Sequence, residues 1–361
     1  MEEQAPAWLA EPWDNVGLLA GKSGATVKKA WVALESSPEL LSKAQANAQM
    51  LLLHHPPIFQ PLKNLRTDQP AKAALIQAAA SGLNIFAAHT NLDAAAYGVN
   101  HALAEALSLE ESEVLEPLQR QGLLKLVVFV PEGQAHTMQE ALFAAGAGRL
   151  GNYQKCSFMI RGQGQFQPMS GAKPALGRVN HTSTVKEARV EVLLPKQKLG
   201  AVLNALYASH PYEEPAFDIV PLLNVPANLG FGRVGNLPCP MDGANFLKEA
   251  ARRLNTNSLQ YAGPLPKQVS RVAVLGGSGV QGLAFAAKAR AQVFITGEAS
   301  HHSADEARDL GICLVLLGHF STEVVIVKPW ALRLQRLLKQ AGFSCQIQAK
   351  VGKDPWRTMA L

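Results

Sequence analysis

The chain has 361 residues, 48% hydrophobic and 17% charged, with a formal net charge of +6. That composition belongs to an ordinary globular protein of roughly two or three domains, and excludes a disordered or fibrous chain. The positive excess is diffuse, without a Lys/Arg block, so it permits a nucleic-acid partner without arguing for one, and no run nears the ~20 apolar residues of a membrane span.

The first residues, MEEQAPAWLAEPWDN (1–15), are acidic and lack the basic start and apolar core of a signal peptide. Four cysteines, Cys156, Cys239, Cys313 and Cys345, form no CxxC pair. Both features point to a reducing cytoplasm, with no disulfide framework and no thiolate zinc site.

Short apolar runs then predict strands at 30–34 (AWVAL), 50–53 (MLLL) and 84–88 (NIFAA), with Ala-rich helices at 37–49 and 69–82 between them. The same alternation returns near the other end, with strands at 271–275, 292–296 and 312–317 and helices at 283–291 and 303–311. Together the two ends predict an α/β domain whose sheet is buried on both faces. In the middle, 125–146 and 189–210 align without gaps at an offset of 64, Pro131 falling on Pro195 and ALFA (141–144) on ALYA (205–208). Each copy reads as strand, Pro-marked turn and helix. SFMIRG and FDIV supply plausible returning strands, which predicts an inserted ferredoxin-like α+β domain. The expected division is therefore 1–123 and 226–361 for the outer domain and 124–225 for the insert, with crossings at LQRQG (118–122) and LNVPANLGFG (223–232).

Chemistry collects where the outer strands end. LLL runs into HHPP, FAA into HTNLD, AVL into GGSG, FIT into GEASHH and VLL into GHFSTE. In α/β sheets that edge is where ligand sites form. His54, His55, Asp93, His319 and Glu323 offer three imidazoles and two carboxylates, a donor set for zinc, manganese, iron, cobalt or nickel. Five donors exceed one tetrahedral zinc with an open position and suit two ions about 3.5 Å apart sharing a carboxylate. His319 and Glu323 are four apart, so a helical turn aims both the same way, with Ser321 or Thr322 as N-cap. Taken singly, Asp93 reads as an Asx-turn or helix cap and Glu323 as an acid favoured by a helix N-terminus. Convergence on one edge is what favours a metal site. His89 can bind metal or orient a ligand, whereas His101, His136, His181 and His210 lack such a setting and read as structural or exposed. GSGVQG (277–282) fits G-x-G-x-x-G, with Glu298 as a ribose-binding acid, but that leaves the histidines unexplained. A backbone nest at Gly277, Ser278 and Gly279, holding a phosphate or carboxylate, is the more economical use.

WDNVGLLAG (13–21), LLLHHPPIF (51–59), AAHTNLDAAAYGVN (87–100), VAVLGGSG (272–279), TGEASHH (296–302) and LLGHFSTE (316–323) together resemble the Nif-three-like family, whose members go by the name GTP cyclohydrolase 1 type 2 homologues. NYQKCSFMIRGQGQFQP and ASHPYEEPAFDIVPL resemble the inserted domain of its longer bacterial members, similar to PII-like and CutA-like proteins. The resemblance implies a dinuclear centre on His54, His55, Asp93, His319 and Glu323, and a toroidal homohexamer with the metals facing an internal cavity. His89, His302 and the Asp14-Asn15 pair match family positions near the site. Glu298 and Glu35 stand where Asp is common, and Phe320 where Tyr is common.

The expected activity is hydrolysis of a nucleotide-like or other small anionic substrate by water activated between two divalent ions. His89 or His302 would be the acid/base, and Asp14, Asn15, Gly277, Ser278, Gly279 and Glu298 would stand on the substrate side. A metal-delivery or regulatory ring without turnover is the alternative.

Overall fold

A computed structural model of the chain describes residues 1–118, 123–150, 153–222, 228–257, 259–357 and 359. It forms two compact units, Met1–Leu118 with Ala227–Leu361, and Gln119–Pro226. Crossing 118–122 and the first part of crossing 223–232 lie outside the described residues, apart from Leu118.

The first unit holds two sheets where the sequence predicts one. In the five-stranded sheet, Gly17–Ala20, Asn84–Ala87, Met50–Leu53, Lys29–Ala33 and Gln346–Lys350 lie in that order, parallel except for the first. In the six-stranded sheet, the parallel trio Cys313–Leu316, Val293–Thr296 and Gln268–Leu275 is flanked by antiparallel Gln260–Ala262 on one side, and by Gly230–Asp242 and then Glu110–Pro117 on the other. The six apolar runs are the buried parallel strands. The flanking strands escape the sequence reading because they are partly exposed: Glu110–Pro117 (EESEVLEP) fully buries only Leu115. A half-solvated strand carries no continuous apolar run.

Local chemistry explains the helix starts. Ser37 accepts a hydrogen bond from the Leu40 amide ahead of Pro38–Asn47, and Ser300 accepts from Ser303 ahead of His301–Asp309. The stretch from GH onward (318–340) departs from expectation. It breaks into His319–Glu323, a 3-10 turn Val324–Ile326, and Val327–Gln340. Neither Ser321 nor Thr322 is its N-cap. Gly318 takes that place at φ 89°, while the Thr322 hydroxyl turns back on the Gly318 and His319 carbonyls at 3.0 and 2.9 Å. The i,i+4 pair His319 and Glu323 thus spans one short helix with its own tether.

In the second unit, Ser157–Phe166, Ser183–Pro195, Leu123–Pro131 and Phe217–Pro221 form an antiparallel sheet in that order. Both repeat copies end a strand on proline, pass a 3-10 turn and enter a helix, Ala135–Ala144 or Leu199–Ser209. Leu126, Val128, Val190 and Val192 on one sheet face pack with Met138, Leu142, Val202 and Leu206 of those helices.

One buried charge ties the first unit together near the site. Arg233, 3% exposed, donates to the carbonyls of Gly230 (3.1 Å), Gly232 (2.7 Å), Ala95 (3.1 Å), Ala96 (3.2 Å) and Asn228 (3.3 Å). Burial lowers its pKa to about 10, so it stays charged at neutral pH. It fixes the turn that follows Asp93. Arg233→Met, which strips these acceptors of their donor, is expected to cost about 3 kcal/mol or more in urea unfolding. Arg233→Lys is expected to recover less than half of that, because a point ammonium cannot span five carbonyls.

Candidate metal centre

The histidines of HHPP follow Met50–Leu53, and their amides prolong the ladder, His54 to the Ala33 carbonyl (3.2 Å) and His55 to the Leu34 carbonyl (2.8 Å). Their rings lie 5.0 Å apart at a tilt of 40°. His54 is fully buried and its Nδ1 donates to the Ala88 carbonyl at 3.0 Å. A carbonyl only accepts, so Nδ1 carries the proton and Nε2 turns its lone pair inward in the neutral ring. That Nε2 has no hydrogen-bond partner, with Asp93 Oδ1 at 3.6 Å and Glu323 Oε1 at 3.8 Å.

Glu323, 4% exposed, stands at the centre. Its Oε2 lies 2.8 Å from His55 Nε2 and 3.1 Å from His319 Nε2. Two groups of ring nitrogens and carboxylate oxygens converge within 4.8 Å, His54 with His55 and His89, and His55 with His319 and Glu323. Asp93 is in neither group but approaches His54 Nε2 at 3.6 Å, so all five expected ligands gather in one cluster, from both sheets of the first unit.

Electrostatics follow from the crowding. Burial opposes ionisation of Glu323, but the imidazoles of His319, His54 and His55 outweigh it and hold the carboxyl well below its usual range. Burial likewise disfavours a charged His54, yet Asp93 and Glu323 lift it to about 9. The bond to Glu323 lifts His319 to about 9 against its own burial. Burial raises Asp93, only partly offset by His54.

Outer hydrogen bonds aim the rings. Glu298 accepts from His319 Nδ1 at 2.7 Å and from the Ser278 hydroxyl. Asp14 accepts from His89 Nδ1 at 2.9 Å and from the Thr90 amide at 3.0 Å. These bonds bring it to about 2 against the effect of burial. Asn15 donates to the Ile58 carbonyl at 2.5 Å, pinning the chain after HHPP. Asp14, Asn15 and Glu298, expected on the substrate side, each bond the protein's own groups.

The glycine turn needs correction too. The Gly276, Gly277 and Gly279 amides donate to Asn100 (2.9 Å), Thr322 (3.1 Å) and Thr296 (3.0 Å). With two of the three expected nest amides, Gly277 and Gly279, engaged within the protein, the turn does not present the full nest. Gly277 serves approach instead: at φ 62°, a Cβ there would lie 2.1 Å from Glu323 Oε1. His302 stands exposed on His301–Asp309, its ring 6.4 Å from His301, and among the described residues it makes no contact with the cluster. Trp13 and Phe59, absent from the expected site, form an edge-to-face pair at 5.8 Å and flank His89 at 6.3 and 6.1 Å. They are 57% and 43% exposed, and the one sequence cue to them was their position beside expected site residues, Trp13 before Asp14 and Phe59 after HHPP. With Asp93, His319 and Glu323 they line a cleft of about 630 Å³.

The sequence matches Duf34/NIF3 (NGG1p interacting factor 3) over residues 1–355. The chain belongs to that family. A relative in Bacillus subtilis (strain 168), the "GTP cyclohydrolase 1 type 2 homolog", is 39% identical over 325 residues, 90% of this chain and 87% of that protein. One of the same name from Halalkalibacterium halodurans is 36% identical over 98% of this chain and 96% of its own length. Among solved structures, the Bacillus cereus protein related to NIF3 superposes with a TM-score of 0.80 at 35% identity, covering 99% of this chain and 96% of that one. The mixed α/β fold with several sheets is thus a Duf34/NIF3 fold. Among the described residues no helix is long and apolar enough to cross a membrane.

Two outcomes test this geometry. In Gly277→Ala the left-handed backbone and the blocked Glu323 together are expected to cost about 1–3 kcal/mol in chemical denaturation, against less than about 0.5 for an exposed control. In chelator-treated protein, the His319 contribution is fully present below pH 6.5 and lost as pH rises through about 9, because its folded pKa is raised. The stability gap between wild type and His319→Gln is therefore expected to shrink between pH 6.5 and 9, read from urea midpoints at each pH.

Proposed function

We propose that this Duf34/NIF3 protein is a metal-dependent hydrolase of a small anionic, nucleotide-like substrate. The observation that carries the reading is the buried, unpartnered His54 Nε2, aimed at Asp93 and Glu323 beside a cleft of about 630 Å³. A buried polar atom without a partner costs free energy, and a cation that displaces the Nε2 proton and takes the freed lone pair removes that cost.

The donor set fits two divalent ions, zinc first, with manganese, iron, cobalt and nickel compatible. His54, His55, Asp93, His319 and Glu323 would hold them, with Glu323 between the two histidines His55 and His319. Such ions, when bound, supply Lewis-acid polarisation and a water of lowered pKa. The protein's own groups do the rest. Asp14 fixes Nδ1 of His89 and leaves its other nitrogen free to move a proton in the cleft. Trp13 and Phe59 offer faces on which a planar ring can stack and from which water is excluded. Glu298 keeps His319 turned toward Glu323.

The name of the relatives makes ring opening of GTP the first reaction to test, though a shared fold does not fix a substrate. We also assign the inserted unit to the ferredoxin-like class, PII-like or CutA-like, because its strand and helix order is β-α-β-β-α-β with the first and third strands paired at the centre. A toroidal homohexamer is the assembly we expect, and its mass in solution checks it.

Metal-loaded protein assayed against a panel of nucleotides, GTP included, is expected to turn over at least one. Asp93→Ala and Glu323→Gln should each lose at least about a hundredfold in kcat/KM, since loss of a ligand's outer hydrogen-bond partner alone costs roughly 10–100-fold. Tight binding of about two ions per chain with no turnover of any nucleotide would overturn the hydrolase and leave a metal-delivery protein.

A further inference from the structure

The inserted unit contains a cavity that the metal centre does not use. It measures about 330 Å³, at the small end of ligand pockets, and is walled by Phe129, Phe166 and Tyr212. Glu187, Glu213 and Glu214 line it, and none of its lining residues is Lys or Arg. One wall comes from 167–182, a connection far longer than a hairpin needs. That stretch is tied down by Asn180 N to the Pro168 carbonyl (2.7 Å) and Lys173 N to Glu213 Oε1 (2.8 Å).

Glu187 is set in place. Its Oε1 accepts the Tyr212 hydroxyl at 3.0 Å. Its other oxygen lies over the backbone of Gly164, where an added Cβ would fall 2.0 Å from Oε2. Only glycine leaves room for the carboxylate there. Among the described residues Glu187 has no cationic partner, in a wall of aromatic rings whose π-faces also attract positive charge.

We propose that this cavity is a binding site for a small organic cation, an ammonium or guanidinium on a compact apolar body. Glu187 takes the charge and the aromatic wall takes the body. Two carboxylates at the rim repel anions, which separates this site's ligand from any anionic substrate at the metal centre.

The test uses the full chain under chelation, titrated calorimetrically with 2-phenylethylammonium, its neutral isostere 2-phenylethanol, and the anion 3-phenylpropionate. The cation is expected to bind at least tenfold more tightly than the alcohol, and the anion not at all, because a charge-assisted hydrogen bond is worth about tenfold or more. Glu187→Gln, which keeps an acceptor for Tyr212, should lose at least tenfold for the cation and leave the alcohol unchanged. Gly164→Ala, which displaces the flexible end of Glu187, should lose a similar factor with an unchanged melting temperature. His54→Ala should bind the cation as wild type does, so the outcome is independent of the metal reading. Equal binding of cation and alcohol, an unchanged Glu187→Gln, or no binding of the cation at about 10 mM would each overturn the proposal.

Discussion

The centre of this protein depends on one buried carboxylate. Glu323 is almost without solvent, and an isolated ion there would be strongly disfavoured. It stays ionised because three imidazoles face it, two within 3.1 Å. His54 and His319 in turn are held charged by the same carboxylate. Neither partner is favoured in its charged form in that place without the other.

Much of the surrounding fold serves that meeting. The Gly318 cap and the Thr322 tether shape the single short helix from which His319 and Glu323 project. Gly277 clears space against Glu323 and sends its amide to Thr322. Asn100 bonds both the Asp93 carbonyl (3.1 Å) and the Gly276 amide (2.9 Å), joining the halves of the first unit beside the site. Arg233 then braces the turn after Asp93. These polar groups spend their hydrogen bonds on each other, which leaves the cluster rigid and the His54 Nε2 as the exception.

That His54, His55, Asp93, His319 and Glu323 gather was legible in sequence because they follow buried parallel strands, whose apolar runs stand out and whose C-terminal ends converge. MLLL, NIFA and VFIT appear as strands within a residue of their expected bounds. The division of the outer unit into two sheets was not legible, since it depends on strands such as Glu110–Pro117 and Gln346–Lys350 whose faces are partly solvated. Nor was the real use of the glycine turn: GGSG looks the same whether its amides face a ligand or are taken by Asn100, Thr322 and Thr296, residues up to 176 positions away. Asp14 was marked by its neighbourhood in sequence. Its partners His89 and Thr90, 75 and 76 residues on, could be known only from the fold.

The most direct measurement is anomalous diffraction from crystals of zinc-loaded protein, collected on both sides of the zinc edge. The account predicts two anomalous peaks per chain among His54, His55, Asp93, His319 and Glu323, one of them beside His54 Nε2. Empty density at His54 Nε2, with zinc bound only at surface histidines such as His301, would contradict it.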